Sequence, residues 1–179
     1  MKRSIWTLLA AALLPLLLLA GCGGQEIEVY NTGLFTVSVP EDWLPLAVDD
    51  MWSEDPNAVA ADQLNLVKGG KDQWDLMEMP SVHIACFDPG IEMVRPDPSL
   101  YREVEELAPL TVGEKTYEGM KGVSSGLPLA ILWHGESTEY QFQVAVWLEV
   151  NGQQLTLDDP GLLLILESLA PAAAEDAAG

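Results

Sequence analysis

The stretch "YNTGLFTVSVPEDW", Tyr30 to Trp43, decides the fold. Phe35, Val37 and Val39 alternate with Thr36 and Ser38, the two-residue period of a strand with one buried face. Asn31 ahead of Gly33 marks a turn, which predicts a hairpin with the preceding run "IEVY", Ile27 to Tyr30. Pro40 has no N–H to offer a ladder and ends the strand. Glu41 and Asp42 then bring Trp43 back toward the apolar face.

Downstream, Asp49 to Asp62 turns acidic and alanine-rich, which predicts a loop with at most a short helical turn. "LNLV", Leu64 to Val67, is a candidate strand, and "KDQWDLMEMP" reads equally as a short helix or a loop. "SVHIACF", Ser81 to Phe87, is a strand with Val82, Ile84 and Cys86 on one face and His83, Ala85 and Phe87 on the other. Asp97 and Pro98 supply a cap and first-turn proline, and Leu100, Val104 and Leu107 recur at helical spacing, so a helix is expected up to Pro109. "KTYEGMKGV", "LPLAILWH" and "YQFQVAVWLEV" predict successive strands, with Gly135 to Glu139 as a turn. In "DDPGLLLILESL" an Asp cap and Pro160 open an amphipathic helix with Leu162, Ile165, Leu166 and Leu169 on one side.

Upstream, Lys2 and Arg3 precede an uncharged apolar run from Leu8 to Ala20, too short to span a bilayer and suited to a signal peptide. "LAGC", Leu19 to Cys22, resembles the lipobox of bacterial lipoproteins, in which the cysteine sulfur takes a diacylglyceryl group and the chain is cut before it. Two acyl chains anchor stably where one holds only marginally. The expected organisation is a signal peptide over residues 1–21, the lipidated Cys22 and a short linker over 22–26, one domain over 27–169, and a disordered tail over 170–179. Such a chain sits on the extracytoplasmic side of the cell membrane.

Without residues 1–21 the chain has six basic residues against 28 acidic ones, a formal charge of −22. That charge repels nucleic acid and anionic headgroups. With Cys22 lipidated, Cys86 has no disulfide partner and is expected to be a buried, inert core residue.

Taken together, Tyr30 to Trp43, "LTVGEKTYEG" (Leu110 to Gly119) and "ILESL" (Ile165 to Leu169) resemble the PsbP-like superfamily. The signature there is a strand ending in Pro and followed shortly by Trp; here it is Val39, Pro40, Glu41, Asp42, Trp43. The resemblance implies an α+β fold, an α/β/α sandwich with a central, mainly antiparallel sheet and helices on both faces. It also implies binding or assembly rather than catalysis. Metal positions of photosynthetic members find no matching motif in this chain.

Chemistry-bearing motifs are scarce. His83 and His134, the only histidines, belong to no HExxH or His/Cys cluster. Ser124 and Ser125 lack a GxSxG elbow, and Gly69 and Gly70 lack a Walker pattern. No catalytic residue, cofactor or metal ligand is assigned. The leading expectation is a non-enzymatic binding or assembly module whose partners are the membrane, through its anchor, and an envelope protein or peptide. Two alternatives stay open: a carboxylate-dependent hydrolase of envelope polymers, and a calcium-responsive module built on Asp49, Asp50, Glu54, Asp55 and Asp62, which lack EF-hand spacing. Trp52 and Trp74 lie in polar, irregular stretches and are candidates for lining one ligand groove.

Overall fold

A computed structural model describes residues 27–173; the lipobox and Cys22 lie outside the described residues. The first hairpin pairs β1 (Ile27–Asn31) with β2 (Phe35–Pro40), Ile27 opposite Pro40. Its turn closes through the Asn31 side chain, which accepts from the Gly33 N–H at 2.8 Å, with Gly33 at φ 99°. Trp43 opens β3 (Trp43–Asp49), which pairs with β4 (Val59–Lys68), and β4 pairs with β5 (Ser81–Phe87). After a long connection come β6 (Arg102–Glu106), β7 (Leu110–Val112), β8 (Lys115–Ser124), β9 (Leu127–His134) and β10 (Gln141–Trp147). A small hairpin, β11 (Glu149–Val150) and β12 (Gln153–Gln154), precedes helix α1 (Pro160–Ser168).

The main sheet runs β3-β4-β5-β10-β9-β8-β6, with β7 also paired to β8, and every neighbouring pair is antiparallel. Register places side chains in rows across it. Leu64, Ile84, Val144 and Leu132 form one row, and Leu66, Val82, Val146 and Ala130 the next. All eight are buried. Fully burying one aliphatic side chain of this size is worth about 1.5–3 kcal/mol, so these rows carry the core.

Helix α1 and strand β2 cover that face. Asp159 caps the helix, its Oδ1 accepting from the N–H groups of Gly161 (3.0 Å) and Leu162 (3.2 Å), with Pro160 in the first turn. Leu162, Ile165 and Leu166 point inward against Phe35, Val37 and Val39. Phe35 meets Phe142 edge to face, centroids 5.8 Å apart. At the other end of the helix, Tyr117 Oη donates to the Leu166 carbonyl at 2.7 Å, and Ser168 Oγ accepts from Ser38 N–H at 2.8 Å. Burial raises the Tyr117 pKa, so the phenol stays a donor. Lys68 Nζ pairs with Asp159. Burial pushes the Asp159 carboxyl up, but Lys68 and the Leu162 and Gly161 N–H groups outweigh it and hold it below the ordinary range.

Three expectations from sequence are corrected, and one strand had no sequence signal. Residues 102–106 form strand β6, not part of a helix: Leu100 and Val104 face solvent, so a helical apolar stripe would pack on nothing, whereas the edge of β8 offers a backbone ladder. Asp97 does cap a turn, but only the 3₁₀ turn Pro98–Leu100. Strand β3 escapes the sequence pattern because of Pro45, which an edge strand tolerates. The Asp49 to Asp62 loop is shorter than expected, since β4 begins at Val59. The tail does not start at 170: β13 (Ala170–Pro171) adds to the free edge of β2, and Ala172 N–H donates to the Leu34 carbonyl at 2.9 Å. The expected strands at β5, β8, β9 and β10 and the closing helix all stand.

Trp43 is buried against the first turn of α1, where a Cβ on Gly161 would lie 2.5 Å from its Nε1. Gly161→Ala is therefore expected to destabilise the domain by about 1–3 kcal/mol, as overpacking does. The check is a lower urea midpoint at unchanged slope; an unchanged midpoint would show that the indole is not seated tightly.

Candidate functional site

The strand order forces the geometry of the second face. After β5 the chain must reach the far side of β8, crossing β10, β9 and β8 over roughly 19 Å of strand spacings. Residues 88–101 make that crossing, and Pro89, Pro96 and Pro98 keep them out of regular structure. Their backbone is held by side chains of the strands beneath. Gln141 Nε2 donates to the Ile91 carbonyl at 2.7 Å and Gln143 Nε2 to the Val94 carbonyl at 3.2 Å. Gly90 N–H donates to the Ser137 carbonyl at 2.7 Å. At the far end Tyr101 lies on Gly122, where a Cβ would come within 3.1 Å of the tyrosine Cβ. Under this strap Met120, Leu129 and Ile131 are buried, flanked by Tyr101, Trp133 and Trp147.

Arg95 projects from the strap over β9 and β8. Its Nη1 lies 3.1 Å from Glu118 Oε2, and its Cζ is 5.4 Å from the ring centroid of Trp133. Trp133 Nε1 donates to the same Glu118 oxygen at 2.9 Å. The three side chains thus fix one another, one carboxylate oxygen serving both neighbours. Arg95 and Glu118 keep 63% and 57% of their side-chain surface exposed, so the pair stabilises little. They border a concavity of about 380 Å³ walled by Pro96, Pro98, Val104, Leu107, Met120 and Trp133. A guanidinium has five N–H donors, and this ion pair engages one nitrogen. Cation, indole face and apolar floor together suit a ligand with both polar and apolar parts.

The residues singled out in the sequence do not converge there. Trp52 stands 97% exposed in the turn between β3 and β4, beside a depression of about 780 Å³ shared with Met51 and Asp49, Asp50, Asp62 and Asp88. Trp74 is 69% exposed in a 3₁₀ turn, Gln73–Met77, that follows the other end of β4. The ten residues of β4 separate them by roughly 30 Å, so the expected common groove is not formed. The acidic loop uses its carboxylates on itself. Asp50 Oδ1 accepts from Trp52 N–H at 3.0 Å and Asp55 Oδ1 from Asn57 N–H at 2.9 Å. Among the described residues, no three acidic, His or Cys side chains gather closely enough to hold a metal ion.

Cys86 is buried on the core face. Burial, with Asp88 and Asp62 nearby, pushes its thiol up to about 12, so it stays protonated and unreactive. Ser125 sits in the β8–β9 turn at φ 52°, at the end of β9 away from His134, so serine and histidine are not paired. His134 Nδ1 lies 2.9 Å from the Thr116 carbonyl, and its ring rests 5.2 Å from Tyr117. Arg95 and Trp133 were not identified from sequence. The available signal was a single basic residue between prolines in an acidic stretch, but only the strap's route brings it to Trp133.

No family model matches this chain, and no curated protein matches it. A solved structure from Bacteroides thetaiotaomicron superposes with a TM-score of 0.43 at 9% identity, over 84% of this chain and 50% of that one. The chain thus spans half the length of that protein, a likeness too distant to inform fold or activity.

His83, on the strap side of the sheet, has its Nδ1 2.9 Å from Asn65 Oδ1. Burial lowers its pKa below 6.5, with Asp62 opposing. The unfolded chain therefore binds the extra proton between the two pKa values, and stability falls as pH drops through 6.5. Asp159 has the same sign in a separate window, its contribution fading below 3.8. Urea midpoints from pH 7.5 downward are expected to fall for the natural chain and to flatten near pH 6 in His83→Asn; equal slopes in both would remove His83 as the cause.

Proposed function

We propose that this chain is a lipoprotein held by Cys22 on the extracytoplasmic face of a bacterial cell membrane, and that its domain binds an envelope protein or peptide without catalysing a reaction. The observation that carries the binding role is Arg95 fixed over Trp133 beside an apolar concavity. Six basic residues serve a chain of charge −22, and one of them is placed on an aromatic face with donors to spare. Stacking restricts the guanidinium before any ligand arrives, which lowers the entropy lost on binding. The anchor rests on "LAGC" and the small glycines that follow it. Among the described residues no helix is long and apolar enough to cross a membrane.

The finer fold reading also belongs here. The domain is related to the PsbP-like sandwich, with the strap over residues 88–101 lying where that architecture has its second helical layer. Its support is the run from Val39 to Trp43, whose tryptophan packs on the closing helix.

Two measurements test the functional reading. Mass spectrometry of the protein from membranes is expected to find Cys22 at the N-terminus carrying a diacylglyceryl group, and Cys22→Ala to leave the membrane fraction. Immobilised wild-type and Arg95→Ala/Trp133→Ala domains are then exposed to envelope extract. The expected outcome is at least one envelope protein or peptide retained by the wild type and lost from the double variant; identical retention by both would sink the assignment of this concavity.

A further inference from the structure

We infer that the turn Gln73–Met77 is a second membrane contact, seating Trp74 and Met77 among lipid headgroups beside the anchor; this rests on the lipoprotein reading above. The strand register locates the tether. Ile27 is opposite Pro40, and the Pro40–Asp42 turn lies against the end of β4, where Gly69 N–H donates to the Asp42 carbonyl at 2.6 Å. The turn Gln73–Met77 begins four residues after that contact. Cys22 precedes Ile27 by five residues, a reach of at most about 18 Å. Whatever holds Cys22 therefore holds this end of the sheet close to the lipid surface, while Trp52 is carried to the opposite end.

What this end presents suits an interface rather than a core. Trp74 is 69% and Met77 78% exposed, and the outward residues of β1, Ile27 and Val29, are exposed as well. The turn is short but rigid. Asp72 Oδ1 accepts from Trp74 N–H at 2.9 Å, and Asp75 Oδ2 accepts from the N–H groups of Lys71 (2.6 Å) and Asp72 (3.2 Å). Two carboxylates are thus engaged by backbone N–H groups. The Lys71 side chain is exposed and makes no ion pair among the described residues, leaving it for a lipid phosphate. An indole favours the headgroup level, where its ring is shielded and its N–H stays wet. A thioether beside it adds apolar area, and a lysine stem can lie along the boundary with its charge in water.

The test uses the full-length, natively lipidated protein reconstituted on phosphatidylcholine vesicles with brominated acyl chains, which quench only tryptophans near the lipid. Wild type is expected to be retained and partly quenched, with Trp52→Ala quenched to the same extent and Trp74→Ala reduced to the level seen with unbrominated lipid. Met77→Glu keeps the probe and is expected to lose quenching and shift emission to the red, with circular dichroism unchanged. Failure of the wild type to remain on vesicles overturns this inference together with the anchor. Retention with equal quenching in wild type and Trp74→Ala, or with Met77→Glu unaffected, overturns the inference alone.

Discussion

One nine-residue helix, with strand β2 beside it, has to keep water from an extended sheet face, and that constraint organises the molecule. A helix this short is marginal by itself, because nucleation costs more than a few hydrogen bonds return. It is therefore fastened at both ends by groups from the sheet. Asp159, Lys68 and Trp43 hold its start; Tyr117, Ser38 and Lys115, which donates to the Glu167 carbonyl, hold its finish. Each contact joins residues far apart in sequence, so the helix forms only when the sheet is in place. Removing Trp43 would take away about 3–5 kcal/mol of burial and cavity energy, a large share of the stability of a domain this size.

The second face follows from topology rather than from side-chain preference. A sheet assembled as β3-β4-β5 and then from the opposite edge inward needs one long crossover, and that crossover must lie on a face. The helix occupies one side, so the strap takes the other. A strap rich in proline leaves backbone carbonyls without partners, and Gln141 and Gln143 supply two of them. Because it spans the strands without filling the space between them, it leaves the concavity at Arg95. The candidate site is in that sense a by-product of strand order.

The same reasoning explains which elements were legible in sequence. Strands β5, β9 and β10 show their period of two directly, and α1 is marked by Asp159 and Pro160. Strand β3 is hidden by Pro45, whose missing N–H matters only in a paired strand interior. Residues 100, 104 and 107 imitate a helix because apolar spacing is local, while the choice between helix and strand was made by the open edge of β8. The burial of Cys86 followed from the alternation of its strand. The Arg95 and Trp133 pairing did not, since it depends on which strands the strap crosses. Trp52 and Trp74 share similar surroundings in sequence, but the ten-residue strand β4 keeps them at opposite ends.

Charge placement ties these parts together. Three of the six basic residues of the domain sit at joints: Lys68 and Lys115 at the two ends of the helix, Arg95 between strap and sheet. Lys121 stands opposite Glu105 across the β6–β8 ladder, where unlike charges stabilise a pair. Several carboxylates, among them Asp50, Asp55, Asp72, Asp97 and Asp159, are satisfied by backbone N–H groups at turns and caps. Most of the other acids among the described residues are exposed and give the surface its negative field. Such a body is repelled from anionic surfaces over most of its area. At the end of the sheet that carries Ile27, Lys71 makes no ion pair among the described residues, and Trp74 and Met77 of the turn beside it are exposed.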